Sequence, residues 1–277
     1  MSVFKPLIIN KINIKDDVLV LTDHDVIHYI FDENDLPLNI SKIILKASKD
    51  IDFVVKLRQN SSLITYEVAP FTRGKIMFMC SDEDIAIARE IHLRESATLT
   101  LIMPDFHNGN RKVNIETKLL ERKAHAKWHL ATYSQSKDKK VFNISFSHFA
   151  NESFADMYNY GVVLNESTLI FTGESTIFEH VKGAETHQTA RIIVFDDNSH
   201  AEANPILNIY HNDVIAASHA ATVGQVNAEH LYYLKSRGLT EKDAKQLITK
   251  GYLMPILNYI DDKAIKENCI LALERVI

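Results

Sequence analysis

Between about Val18 and Ala217 the apolar residues come in short runs that alternate with polar ones or form brief blocks. Examples are 98–102 (TLTLI), 141–146 (VFNISF), 192–195 (IIVF) and 206–209 (ILNI). A period of two with β-branched and aromatic residues predicts strands. Polar turns at 107–110 (HNGN), 136–139 (SKDK) and 196–199 (DDNS) punctuate the runs. Small residues recur just after the turns: Ser96 and Ala97, Ala124 and Ala126, Ser153 and Ala155, Ser167, Ala184, Ala201 and Ala203. A solenoid accounts for this, because each coil turns at a small residue and stacks its apolar strands on the preceding coil. A β-sandwich would give many of the same runs, and periodicity alone does not decide between them.

Two regions break the strand pattern. Residues 82–92 (DEDIAIAREIH) have helical spacing and an acidic start suited to the positive end of a helix dipole, which predicts a short inserted helix. The last fifty residues predict a small helical domain that caps the end of the β region. Asn227 caps a first helix carrying Leu231, Tyr232 and Leu234, and Gly238 supplies its left-handed stop. Thr240 and Asp243 form a capping box for a second helix with Ala244, Leu247 and Ile248 along one stripe. Pro255 ends or kinks it near Met254. A third helix starts at Asp261 or Asp262 and aligns Ile265, Cys269, Leu273 and Val276. The expected division is 1–92 as a strand-rich start with the short helix, 93–225 as the main β region and 226–277 as helices.

Composition narrows the function classes. At 277 residues, with 46% hydrophobic and 24% charged residues, the chain reads as globular. A net charge of -5 argues against a general nucleic-acid binder, and the basic cluster Lys137, Lys139 and Lys140 reads as a solvated turn. No apolar run reaches the roughly 18 residues of a membrane span, and the start lacks a signal-peptide pattern, so the expected location is cytoplasmic. The two cysteines, Cys80 and Cys269, are far apart with no C-x-x-C, which encodes neither a disulfide framework nor a four-thiolate metal site.

Candidate chemistry centres on His219. Ala217, Ser218, Ala220 and Ala221 flank it, so its imidazole sits on an uncrowded strand. From the residues alone it is either a satisfied structural histidine or a ligand. His24 and His28 have the i,i+4 spacing of a metal pair on a helix face, or of a polar turn. His180, His187, His200 and His211 fall in successive strands or turns and could stack near His219. They also read as ordinary surface histidines, as Glu202 and Asp213 read as solvated carboxylates. There is no G-x-S-x-G, H-E-x-x-H or G-x-x-x-x-G-K-[ST] motif, and only eight glycines are present. Asp196 and Asp197, the one adjacent carboxylate pair suggestive of a polysaccharide-cleaving β-helix, would point to opposite faces of a strand.

The segment 211–251 combines Asp213 and Val214, Ala217-Ser218-His219, Ala221-Thr222-Val223-Gly224, Tyr232-Tyr233-Leu234 and Ser236-Arg237-Gly238-Leu239. In wording and spacing it resembles the C-terminal signature of the SufB/SufD family, which works with an ATPase in iron–sulfur cluster assembly. Ala220 stands where that family usually has glycine, and the larger helical N-terminal region of many members is mostly missing. The resemblance covers about 164–253 strongly and is thin before it.

The resemblance implies a mainly β fold, a right-handed parallel β-helix with a small C-terminal helical domain. It further implies a functional histidine at His219, which as imidazole suits iron ligation. In the SufB branch a sulfur-accepting cysteine lies on a strand where this chain has Ala190, so the chain is closer to SufD. A cluster would then be transient and shared, with thiolates supplied by another subunit. Docking of a SufC-type ATPase is implied at Tyr232, Tyr233, Leu234, Ser236, Arg237, Gly238 and Leu247. Pairing with a SufB-type subunit, or with a second copy, is implied at Ile206, Ile209, Val214 and Ala217. The expected role is a non-catalytic scaffold with nucleotide hydrolysis in the partner and neither nucleic acid nor membrane as a ligand. The rival is a homodimeric structural or regulatory paralogue that binds the ATPase but builds no cluster.

Overall fold

The computed structural model describes residues 5–6, 14–15, 18–22, 28–36, 40–46, 50–57 and 63–277. Its strands stack in two parallel sheets, one on each side of a common core. The first sheet runs β1 (Lys5–Pro6), β4 (His28–Asp32), β6 (Ile51–Lys56), β8 (Arg73–Met79), β10 (Thr98–Asp105), β12 (His125–Ser134), β14 (Phe154–Val163), β16 (Ala184–Val194) and β18 (Val214–Gln225). The second runs β2 (Ile14–Lys15), β3 (Val18–Thr22), β5 (Lys42–Lys46), β7 (Ile64–Val68), β9 (Ile85–Leu93), β11 (Arg111–Leu119), β13 (Lys139–His148), β15 (Thr168–Ile177) and β17 (His200–Ile209). From β3 onward the chain alternates between the sheets, which makes a parallel β-helix; among the described residues only β2 and β3 pair antiparallel.

The corners explain the small residues. Phe71, Ser96, Lys123, Glu152 and Gly183 all have positive φ, and each precedes a first-sheet strand by one or two residues. Their amides form a ladder from coil to coil, donating to Glu95, Arg122, Asn151, Lys182 and Asp213 carbonyls at 2.7–3.1 Å. The next residue turns inward and is fully buried: Thr72, Ala97, Ala124, Ser153 and Ala184. Small side chains are needed there because the corner closes on the residue stacked above and below. Coil length varies, so that Thr98, His125, Phe154 and Glu185 stack in one column without a fixed period.

Inside, columns of Ile, Leu, Val and Phe fill the space between the sheets, joined by Trp128, whose indole N–H donates to Asn159 Oδ1 at 2.8 Å. Burying this surface supplies the main favourable term for folding. The expected helix at 82–92 is strand β9 instead. Ile85, Ile87, Arg89, Ile91 and Leu93 all point inward in strict alternation. Arg89 breaks the apolar pattern in the sequence, yet its fully buried guanidinium is neutralised by Glu33, which also accepts from Tyr66 Oη at 3.1 Å. His28 begins strand β4, and His24 lies outside the described residues.

Lys140 departs from the solvated-turn reading. Lys137 is exposed as expected, but the Lys140 side chain is fully buried. Its Nζ donates to Asp105 Oδ2 at 2.8 Å and to the Tyr133 and His107 carbonyls at 2.7 Å. Arg111 Nε donates to Asp105 Oδ1 at 3.0 Å, and its terminal nitrogens cap backbone carbonyls of Glu83, Ser81 and Asn108.

The helices form where their caps direct. In α1 (Ala228–Ser236) Asn227 Oδ1 accepts from Glu229 N at 2.7 Å, and Gly238 follows with φ 94°. Thr240 Oγ1 accepts from Asp243 N at 3.1 Å to open α2 (Glu241–Leu253), and a 3-10 turn, Met254–Tyr259, carries Pro255. Asp262 Oδ1 accepts from Ile265 N at 2.9 Å to open α3 (Lys263–Val276). These helices do not cap the end of the solenoid. Leu253, Ile256, Leu257, Ile265, Cys269 and Leu273 pack on the outer face of the first sheet, against Val54, Met77, Ile102, Phe106, Ala131 and Val162. Arg275 reaches Asp82 at 2.7 Å, and Lys75 pairs with Asp261. Outward apolar residues on that sheet demand a cover, and the helices supply it along the flank. The last coil is left open.

Candidate functional site

The terminal coil positions His219. Among the described residues β18 pairs only with β16, and β17 only with β15, so each carries one edge unpaired by them. Register stacks Ala217 on Thr186, His219 on Gln188, Ala221 on Ala190 and Val223 on Ile192. In the coil beneath, these positions are buried and face the core. On the last coil nothing covers them, so His219 and Ala221 are exposed although they occupy the inward column. Alternation places Ala217 and Ala221 on the same face as His219, and their small side chains leave the imidazole clear.

Beneath His219 the core turns polar. Gln188 Nε2 donates to Ser175 Oγ at 2.8 Å and to the Ile206 carbonyl at 3.0 Å, and Thr186 Oγ1 donates to Ser175 Oγ at 3.0 Å. Gln188 Oε1 is buried without a hydrogen-bond partner. Gly173 makes room for it, since a Cβ there would lie 3.1 Å from that oxygen and 2.8 Å from Met157 Sδ. On the outer face, His187 Nδ1 lies 2.7 Å from Ser218 Oγ and Nε2 lies 2.9 Å from Glu185 Oε1. Sequence reasoning did not find the Gln188, Ser175 and Thr186 group; it named His187 as a residue that could stack near His219, but its pairing with Ser218 and Glu185 required the register.

The other sequence candidates do not gather around His219. His200 binds Glu202, His211 Nδ1 accepts from its neighbour Asp213, and His180 Nε2 bonds the Phe149 carbonyl. His187 points to the opposite face of the sheet from His219. Ala190 is buried in the coil below, on the inward column. Both cysteines are buried away from the terminal coil: Cys80 follows β8 and Cys269 lies in α3. Burial, with the Asp105 carboxylate next, pushes the Cys80 thiol up, and burial pushes Cys269 up to about 12. Neither is poised as a thiolate. Among the described residues no three His, Cys, Asp or Glu side chains are grouped to hold a metal ion. His219 on the terminal coil belongs to no such group.

Helix α1 buries none of its residues. Tyr232 is 75% and Tyr233 54% exposed, Arg237 stacks over the Tyr233 ring at 5.2 Å, and Leu247 of α2 is 51% exposed. Ser236 Oγ donates to the Tyr233 carbonyl at 2.8 Å, which closes the helix end. Ile206 and Ile209 are exposed on β17, and Val214 and Ala217 are half-buried on β18. No helix among the described residues is long and apolar enough to cross a membrane.

Comparison with known proteins finds relatives over part of the chain. The chain is 33% identical to the iron–sulfur cluster assembly protein SufD of Bacillus subtilis over 134 residues, which is 48% of this chain and 30% of the relative. It is 27% identical to SufD of Escherichia coli over 109 residues, 39% of this chain and 26% of the relative. A SufBD family protein of Pyrococcus horikoshii is 36% identical over 99 residues, 36% of this chain and 22% of the relative. The aligned segments thus span less than a third of each of these relatives. The family model described as SUF system FeS cluster assembly, SufBD core domain, matches residues 81–252, from the approach to β9 through most of α2. The stacked coils, their open last turn and this match over more than half of its length mean that the chain belongs to the SufBD family of iron–sulfur cluster assembly.

Proposed function

We propose that the chain is a SufD-like scaffold, not itself an enzyme, within a cytoplasmic SufBCD-type complex. The observation that carries this reading is an exposed imidazole on an uncovered coil that has no thiolate of its own. Edges of β17 and β18, with Ile206, Ile209, Val214 and Ala217 beside them, join a SufB-type subunit. His219 meets that subunit's thiolates across the seam. The iron–sulfur cluster is cargo, held transiently by both chains. Tyr232, Tyr233, Leu234, Ser236, Arg237, Gly238 and Leu247 dock a SufC-type ATPase, which supplies nucleotide hydrolysis. The support for that dock is that the fold spends none of α1 on its own core.

The unpaired edges also suit a second copy of the same chain. Such a pair would bring two His219 imidazoles and no thiolate to the seam, which is the paralogue that binds the ATPase without building a cluster. Anaerobic reconstitution with iron and sulfide separates the readings. The chain, a SufB-type partner and a SufC-type ATPase are mixed in all combinations, and cluster absorbance and complex mass are recorded. Cluster formation only with the SufB-type partner, reduced several-fold by His219→Ala, supports the scaffold. Equal assembly by the variant removes the ligand role. A chain that stays self-paired and cluster-free beside the SufB-type partner establishes the paralogue. Tyr232→Ser with Tyr233→Ser should abolish capture of the ATPase while leaving cluster-partner binding intact.

A further inference from the structure

A cavity of about 500 Å³ lies between the outer face of the first sheet and the helical region, away from His219 and α1. That volume falls within the usual range for small-molecule sites. On the strand side, Tyr158 and Tyr160 rise from β14; on the helical side, Tyr252 and Tyr259 come from α2 and the 3-10 turn. Tyr160 and Tyr252 meet edge to face at 5.6 Å. Four aromatic walls in one recess exceed what is needed to seal a flank that Leu253, Ile256 and Leu257 already cover.

Two polar groups in this recess lack partners. His129 is only 5% exposed, and its ring stacks on Tyr158 at 5.1 Å and on Tyr259 at 3.8 Å. Its Nε2 has no hydrogen-bond partner. A buried polar atom left unpaired is destabilising, and a ligand that bonds it removes that cost. Burial, reinforced by Lys127, holds the imidazole down to about 4, so it is neutral at physiological pH. Arg191, the second group, lines the same cavity from β16 and is exposed, so it stands in solvent at the cavity mouth. Its guanidinium has no hydrogen bond or ion pair among the described residues, although it lies within electrostatic reach of Tyr252. Of the charges around the recess, Asp156 stands near the Tyr158 hydroxyl with Lys127 at 3.7 Å. Lys127 and Asp156 pair with each other, which leaves Arg191 as the charged side chain among the residues that line the cavity.

We propose that this cavity binds a small aromatic anion, its ring held by the tyrosine walls, its acidic group on Arg191 and a polar edge on His129 Nε2. Tyr259, 41% exposed, stacks over the imidazole, and a ligand would reach Nε2 by displacing its ring. The site is independent of the cluster-assembly role, and its chemistry is set by stacking surface plus one unpaired cation.

The probe is 8-anilinonaphthalene-1-sulfonate, with the uncharged N-phenyl-1-naphthylamine as its neutral counterpart, titrated by fluorescence against the folded chain. One sulfonate dye should bind saturably. Arg191→Gln should weaken it about tenfold, the equivalent of roughly 1.4 kcal/mol, while leaving the neutral dye unchanged. Tyr252→Ala should weaken both dyes. His129 nitrogen resonances in labelled protein should move on saturation with the sulfonate. Circular dichroism of each variant confirms that its fold is retained. No saturable sulfonate binding, binding indifferent to Arg191→Gln and Tyr252→Ala, or loss through Tyr232→Ser on α1 would each overturn the assignment.

Discussion

Replacing Asp105 with asparagine strands two cations inside the protein. The Asp105, Arg111 and Lys140 side chains are all 0% exposed, and the carboxylate accepts from Arg111, Lys140 and Thr132 Oγ1 within 3.0 Å. Removing one partner of a buried charge group costs about 3–5 kcal/mol, because the remaining charge cannot be rehydrated. Lys140→Met is the milder change. It leaves Asp105 and Arg111 as a neutral pair and deprives the Tyr133 and His107 carbonyls of a donor, a loss of about 1–3 kcal/mol. The double variant should be less destabilised than the sum, since it deletes one of the two stranded cations. Equilibrium urea unfolding, followed through Trp128, the single tryptophan of the chain, measures each value.

Acid provides a second reading of the same cluster. Burial alone would raise the Asp105 carboxyl, but Lys140 and Arg111 outweigh it and hold the group at about 2, against an ordinary 3.8. At 1.36 kcal/mol per pKa unit this is roughly 2 kcal/mol of stability. The folded value is the depressed one, so this stability is full above the unfolded pKa and is lost as pH falls from about 4 toward 2. The gap between wild type and Asp105→Asn should therefore narrow in that window. If Asp105→Asn costs no more than Lys140→Met at neutral pH, the charge-stranding argument is refuted.

Glu33→Gln should cost about 1–3 kcal/mol in the same assay, because it weakens the buried acceptor shared by Arg89 Nε and Tyr66 Oη; an unchanged midpoint would show that these bonds add nothing to stability. Gly74→Ala should destabilise by about 1–3 kcal/mol, since the new Cβ would lie 2.5 Å from the Ile51 carbonyl oxygen of the coil below; an unchanged midpoint would show that the coils slide apart freely there. Burial holds His148 at about 4, so the neutral ring is favoured in the folded state. The unfolded chain takes up its proton first as pH falls below about 6.5, and roughly 3 kcal/mol is lost by pH 4. His148→Gln should flatten the pH dependence of the melting temperature over that interval, and an unaltered slope would contradict the assignment.

Local signals were legible where the deciding partner is near in sequence. Asn227, Thr240 and Asp262 cap helices through amides two or three residues away, and Pro255 marks the end of α2 for an equally local reason. Strands β10 and β13 announce themselves by apolar residues at period two. The misread segment is instructive because β9 keeps perfect alternation. Arg89 hid it, since the anion that lets an arginine face the core is Glu33, 56 residues earlier. Lys140 misled for the same reason, its anion lying 35 residues away in Asp105. At the candidate site, His219 was readable from its small neighbours, whereas Gln188, Ser175 and Thr186 beneath it were not. Their polar character looked like solvent exposure until register placed them inside.

By itself the sequence determined the strand alternation, the small inward residues at the corners, the capped helices and the family signature. Each depends on backbone sterics or on side chains within a turn of one another. Tertiary structure alone decided that the helices lie on the flank of the first sheet, and hence that the last coil stays open with His219 uncovered. It also decided which charges are buried and where the tyrosine-lined cavity forms. These outcomes rest on contacts between residues distant along the chain, whose pairing is set by coil register and competition for apolar cover, and neither is written in any local pattern.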